Sequence, residues 1–107
     1  MRNQIEGCII QTLSRSLHEE VKFDRSRVTS TDWGSYPILR FPEVPPIDVI
    51  LIDRPTEPLL GAGEAATAPV AAALANAIFD ATGIRLQSIP FTPERVRSAL
   101  GNAMKTA

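Results

Sequence analysis

The sequence has a single cysteine, a single histidine, a single tryptophan and a single tyrosine among its 107 residues, and each scarcity closes a route. With Cys8 alone, no intramolecular disulfide and no CxxC metal site can form. A cysteine–histidine nucleophilic site would need Cys8 to meet His18 in one particular arrangement, so Cys8 reads as a small core hydrophobe and His18 as a surface residue on a polar helical turn. No apolar run approaches the ~20 residues that span a bilayer, and the N-terminus lacks the basic and apolar regions of a signal peptide. Eleven basic and twelve acidic residues are scattered along the chain for a net charge of −1. Without a basic block to neutralise a run of phosphates, the pattern argues against nucleic acid as a partner. A cytoplasmic protein is expected, and a place in a periplasm-facing complex is compatible with the same features.

What is present is enough for one domain. Hydrophobic residues make up 44% of the chain and charged residues 21%. A chain of this length buries roughly 60–70% of the surface its unfolded form exposes. Residues 1–107 are therefore expected to form a single domain that needs no disulfide or metal staple, but is too small to enclose a large cofactor.

Helical spacing runs from residue 4 to about residue 20, with Ile5, Cys8, Ile9, Thr12/Leu13 and Leu17 on one side. Met1, Arg2 and Asn3 give this helix almost no lead-in, which reads as the start of a fragment or a split subunit. Val21, Phe23 and Val28 flank a polar stretch and predict a β-hairpin. Tyr36, Pro37, Ile38 and Leu39 predict an edge or irregular extended segment, and Pro42, Pro45 and Pro46 exclude helix beyond it. Residues 47–53, Ile-Asp-Val-Ile-Leu-Ile-Asp, are β-branched and nearly continuous, as in a strand covered on both faces. After a loop holding Gly61 and Gly63, an alanine-rich helix is expected over about 67–82, with Pro69 in its first turn and Gly83 at its end. A short strand over 84–89 and a last helix from Pro93 to about residue 104, capped by Thr92, complete the order. The expected fold class is α+β, a small mixed sheet of about four strands packed with about three helices.

Gly61, Ala62, Gly63 and Glu64 carry the chemistry in this reading. Two glycines let the backbone turn sharply and let a ligand approach it closely. Glu64, just before the expected helix, would meet the positive end of its dipole and stay ionised. On the residues alone, two readings stand: a poised base, or an ordinary first-turn acid after glycines that serve only a turn. No side chain is predicted as a metal ligand. Trp33 and Tyr36 read as interdomain packing rather than a substrate clamp.

The chain as a whole resembles the C-terminal part of the molybdopterin-binding subunit of the xanthine dehydrogenase and aldehyde oxidase family. The match is nearest to the bacterial isoquinoline 1-oxidoreductase-like and aldehyde dehydrogenase-like branch. It begins at Gln4-Ile5-Glu6-Gly7 and continues through Tyr36-Pro37-Ile38-Leu39 and the segment around Val49 to Gly61-Ala62-Gly63-Glu64. It ends with Pro69, Ala-Leu-Ala-Asn-Ala at 73–77, Gly83-Ile84-Arg85 and Ser88-Ile89-Pro90-Phe91, covering about residues 3–93 in the family's order.

The resemblance implies that Glu64 is the base beside molybdenum, accepting a proton from a metal-bound hydroxyl while an aldehyde or N-heterocycle carbon is oxidised with water-derived oxygen. It implies that Gln4 lies near molybdopterin and bonds it through its amide and that backbone at Gly63 borders the same cofactor, whereas Glu6, a helix-borne acid one turn from a start, reads as structural. The cofactor is expected as molybdopterin, the cytosine dinucleotide form being one option, and only in the complete enzyme. Family subunits are several times longer, so the implied partners are the remainder of the molybdopterin subunit and an iron–sulfur subunit. The competing reading is a truncated, non-catalytic remnant that folds and forms a homodimer through the surface meant for the missing part. An independent small-molecule binding module is the third.

Overall fold

A computed structural model describes residues 1–106, and the side chains of all of these except Ala103, Lys105 and Thr106. Three α-helices and one short 3-10 helix appear in it: α1 (Arg2–Leu17), the 3-10 turn (Phe41–Glu43), α2 (Val70–Thr82) and α3 (Pro93–Thr106). α1 packs on α2. Three of its four buried positions, Cys8, Thr12 and Ser16, recur every fourth residue and so share one face, while the fourth, Ser14, lies off that face and its hydroxyl accepts the Leu39 N–H at 3.0 Å. That face is narrow and built of small side chains, whereas Ile5, Ile9, Leu13 and Leu17 are only half-buried.

Helix boundaries follow local chemistry. Gly83 adopts φ 72°, the left-handed conformation glycine tolerates best, and its N–H closes α2 on the Phe79 carbonyl at 2.7 Å. The Thr92 hydroxyl accepts the Arg95 N–H at 3.3 Å, and Pro93 opens α3 as expected. α2 begins at Val70 rather than near residue 67, with Pro69 as its N-cap. Between Glu64 and Pro69 the chain runs through turns, with the Thr67 N–H on the Glu64 carbonyl at 2.9 Å.

The α+β expectation is overturned: among the described residues there is no strand and no sheet. The hairpin at 21–28 is reduced to a single antiparallel bridge, Phe23 with Val28. Its turn is held by Asp24, whose carboxylate accepts the N–H groups of Ser26 and Arg27 at 2.7 and 2.9 Å. Residues 47–53 and 84–89 are not strands. A strand exists through pairing, and among the described residues no backbone hydrogen bond pairs either stretch with another segment. Residue type records which faces are to be covered, not what covers them.

The dimensions agree with this absence. The Cα radius of gyration is 17.3 Å, against about 13 Å for a compact chain of this length. Accessible surface is 8460 Å², against about 5,800 Å² for a folded monomer of this mass. Cys8, Val49, Val70 and Phe91 are the buried hydrophobic residues among those described, while Phe41, Ile50, Ile52, Leu59 and Leu60 lie more than three-quarters exposed. The segment leading into α3 is tied to α1 by the Phe91 N–H on the Ser16 carbonyl at 2.7 Å, and α3 is tied to the chain just after α1 by Arg95, which pairs with Glu20 at 2.5 Å.

Candidate functional site

α1 brings Gln4 and Cys8 one turn apart on a common face, and the loop before α2 returns to meet them. The Gly63 carbonyl oxygen accepts two bonds there. One comes from the Gln4 side-chain N–H at 2.9 Å and one from the Cys8 thiol at 2.9 Å. A carbonyl has two lone pairs, so both donors are accommodated. The turn carrying Glu64 is thereby fastened to α1 at the residue immediately before it.

Gln4, Gly63 and Glu64 line one cleft of about 560 Å³. Cys8, Gln11 and Arg15 continue its α1 wall, and Thr67 and Ala68 close the other side. All three residues predicted for the site are therefore brought to one place. Among the described residues, the Glu64 carboxylate has no hydrogen-bond or ion-pair partner, and it is exposed. Its expected place just before a helix N-terminus is corrected, since α2 starts six residues later and a helix dipole fades within its first turn.

The glycines also differ from expectation. Among glycines only Gly83 has positive φ. A Cβ at Gly61 or Gly63 would meet no atom within 4 Å. The chain's own conformation thus makes no demand for glycine at either position, and open space stands beside Gly63.

The thiol of Cys8 is a donor to the site, not only a small hydrophobe, and the usual ranking of cysteine among core residues hides this role. Gln11 and Arg15 also escape the sequence reading. Their signal is available, because positions 4, 8, 11 and 15 fall on one stripe of a helix. Across Gly7 and Gln11 lies a second cleft of about 450 Å³, walled by Trp33, Tyr36, Ile38 and Leu39. The Tyr36 hydroxyl donates to Glu19 at 2.8 Å, and this bond to a carboxylate raises the phenol above its ordinary value. No cluster of three or more His, Cys, Asp and Glu side chains suited to a metal occurs among the described residues. No helix among them is long and apolar enough to cross a membrane.

No protein-family profile matches the chain. It is 58% identical over 101 residues to a nicotinate dehydrogenase subunit of Pseudomonas putida, a match covering 94% of this chain and 8% of that protein. It is 30% identical to the aldehyde oxidoreductase molybdenum-binding subunit PaoC of Escherichia coli, over 92% of this chain and 14% of PaoC. The crystal structure of quinoline 2-oxidoreductase from Pseudomonas putida 86 superposes with a TM-score of 0.79 at 27% identity, over 94% of this chain and 14% of that one. The chain is homologous to part of the molybdenum-binding subunits of the xanthine dehydrogenase and aldehyde oxidase family. The beta subunit of isoquinoline 1-oxidoreductase from Brevundimonas diminuta also matches, 33% identical over 87% of this chain and 12% of its own length. One homologue, from Gluconacetobacter polyoxogenes, is named a membrane-bound pyrroloquinoline-quinone aldehyde dehydrogenase, 33% identical over 92% of this chain. The quinone in that name stands apart from the molybdenum in the name of PaoC. These curated relatives are far longer, and this chain spans between 8% and 14% of their lengths.

Proposed function

We propose that this chain supplies one wall of the active site of a molybdenum hydroxylase, with Glu64 as its general base. The observation that carries the reading is the cleft in which Gln4, Gly63 and Glu64 meet with the Glu64 carboxylate unpartnered. The carboxylate is therefore not committed to a cap or an ion pair among the described residues, and it stands beside the two residues that the resemblance places at the cofactor.

The residues present fit the edge of a molybdopterin group rather than the whole of it. The Gln4 amide N–H is spent on Gly63, which leaves its carbonyl oxygen to accept a bond from a pterin N–H. The open space at Gly63 admits a flat group against the backbone. Arg15 contributes a cation to the wall. When bound, the cofactor supplies the two-electron redox chemistry.

This chain's part is to accept and hold a proton. Glu64 takes it on a carboxylate oxygen, while the Gly63 anchor to Gln4 and Cys8 fixes the turn from which that side chain extends. The substrate class is an aldehyde or an N-heterocycle, and the 58% identity with the nicotinate dehydrogenase subunit favours an N-heterocycle. The partners are the remainder of such a subunit and an iron–sulfur subunit.

The test is a hybrid in which this chain replaces the 101 matched residues of the Pseudomonas putida nicotinate dehydrogenase subunit. Glu64→Gln should cut turnover by about 10²–10⁴-fold, the usual worth of a positioned base, with molybdenum content unchanged. Turnover within twofold of the unmodified hybrid would rule Glu64 out as the base. Nucleotide released from the denatured hybrid identifies the cytosine dinucleotide form directly.

The excess of exposed apolar surface favours a second reading, a non-catalytic remnant that self-associates. A stable homodimer of the chain by light scattering, together with an inert hybrid, would establish it.

A further inference from the structure

Residues 47–50 alternate in burial, although among the described residues no backbone hydrogen bond pairs any of 47–53. Val49 is 6% exposed and Ile47 half-buried, while Ile50 and Ile52 are 82% and 76% exposed. A period of two is what an extended segment shows when one face rests on a core. On the odd-numbered face Ile47 and Val49 lie against this chain while Leu51 is 48% exposed, and the even-numbered face, Asp48, Ile50 and Ile52, is bare. No backbone hydrogen bond among the described residues involves any of the seven. Both edges of a segment with strand composition are open, which is the arrangement that recruits another strand.

We propose that residues 47–53 are a docking strand that is added to a sheet of the remaining part of a molybdenum-binding subunit, with Ile50 and Ile52 buried beneath that body. One observation shows that a large interface is missing, and two more choose this occupant over a second copy. The surface in excess of a folded monomer, about 2,600 Å², is larger than one side of a standard interface and matches obligate association. A near-continuous apolar strand requires cover on both faces, which a large body provides and a lone paired strand does not. The quinoline 2-oxidoreductase chain, on which 94% of this chain superposes, has 86% of its length outside the superposed part. The proposal rests on the family reading above but is independent of any role for Glu64.

Hydrogen exchange tests it in wild-type sequence. In the hybrid subunit the amides of 48–52 should exchange about a hundredfold more slowly than in the full 107-residue chain alone. Equal exchange in the two overturns the proposal. In trans, the tagged chain should co-purify with the nicotinate dehydrogenase subunit lacking its matched 101 residues. Ile50→Lys with Ile52→Lys should lower the retained amount by about tenfold or more, whereas Arg97→Ala, exposed on α3, should not. Both isoleucines are exposed, so unchanged far-ultraviolet circular dichroism will show that the double variant keeps its helices. Undiminished retention of the double variant, or a homodimer of the lone chain that the same two substitutions abolish, would overturn the proposal. Glu64→Gln should co-purify like wild type, so a failed base assignment and a failed docking strand give different results.

Discussion

Cys8 donates its thiol hydrogen to the Gly63 carbonyl at 2.9 Å, closing a contact across 55 residues of sequence. The bond lies one residue from Glu64, so it fixes the turn that aims the carboxylate. Cys8→Ala leaves that carbonyl to Gln4 alone and loosens the turn. Small displacements of a reacting group cost roughly ten- to a hundredfold in rate. In the hybrid subunit, Cys8→Ala should therefore lower kcat on that scale with KM and molybdenum content held. Cys8→Ser, which keeps a donor, should restore most of the rate. If serine and alanine behave alike, the thiol has no positioning role.

Tyr36 is the sole tyrosine, so absorbance at alkaline pH reads it without interference. Its hydrogen bond to Glu19 raises its pKa above 10.0. A raised phenol favours the neutral form, so the contribution of this contact is complete below the unfolded pKa and is lost as pH rises through the folded value. Glu19→Ala should move the titration back towards 10.0. A midpoint unmoved by the substitution would show that the bond is not made in solution.

Helices are legible in the sequence because their signals are local. The Gly83 stop and the Thr92–Pro93 start depend on neighbours within one turn, and both stand where the residues put them. Pro69 is legible as a boundary, but its place as N-cap rather than first-turn residue separates Glu64 from the helix. Strands are not legible as structure, because pairing is a property of two segments. Residues 47–53 carry the composition of a covered strand, and the chain contributes cover only at Ile47 and Val49, on one face. Within the site, Gln4, Gly63 and Glu64 come from resemblance, and their meeting in one cleft cannot be read from spacing, since the contact spans 59 residues.

Asp32 offers a pH-dependent prediction with its own reporter. Its carboxylate accepts the N–H groups of Gly34 and Ser35 at 3.0 and 2.8 Å and the Ser35 hydroxyl at 2.9 Å. Donors on the charged form, led by the Ser35 N–H, lower its pKa below 3.8. A lowered carboxyl contributes above the unfolded pKa and loses that contribution as pH falls through the folded value. Trp33, the only tryptophan, sits inside this turn and is exposed. Its fluorescence should change in a step below pH 3.8, and Asp32→Ala should abolish the step. An identical profile in the variant would assign the change to other groups.

Gly63→Ala separates what this chain requires from what a bound group requires. The position has no positive φ, and a methyl group there meets no atom of the chain within 4 Å. Ala also restricts the unfolded chain more than Gly does, by about 0.4–1 kcal/mol in favour of the fold. The lone chain should therefore keep its circular dichroism and gain slightly in resistance to denaturant. In the hybrid subunit the same methyl would stand in the open space where a flat cofactor is proposed to lie against the backbone, and molybdenum content should fall. A normally loaded hybrid would mean that nothing approaches Gly63 closely, and the cofactor wall would then have to be built without it. A destabilised lone chain would instead place the need for glycine inside this chain's own turn.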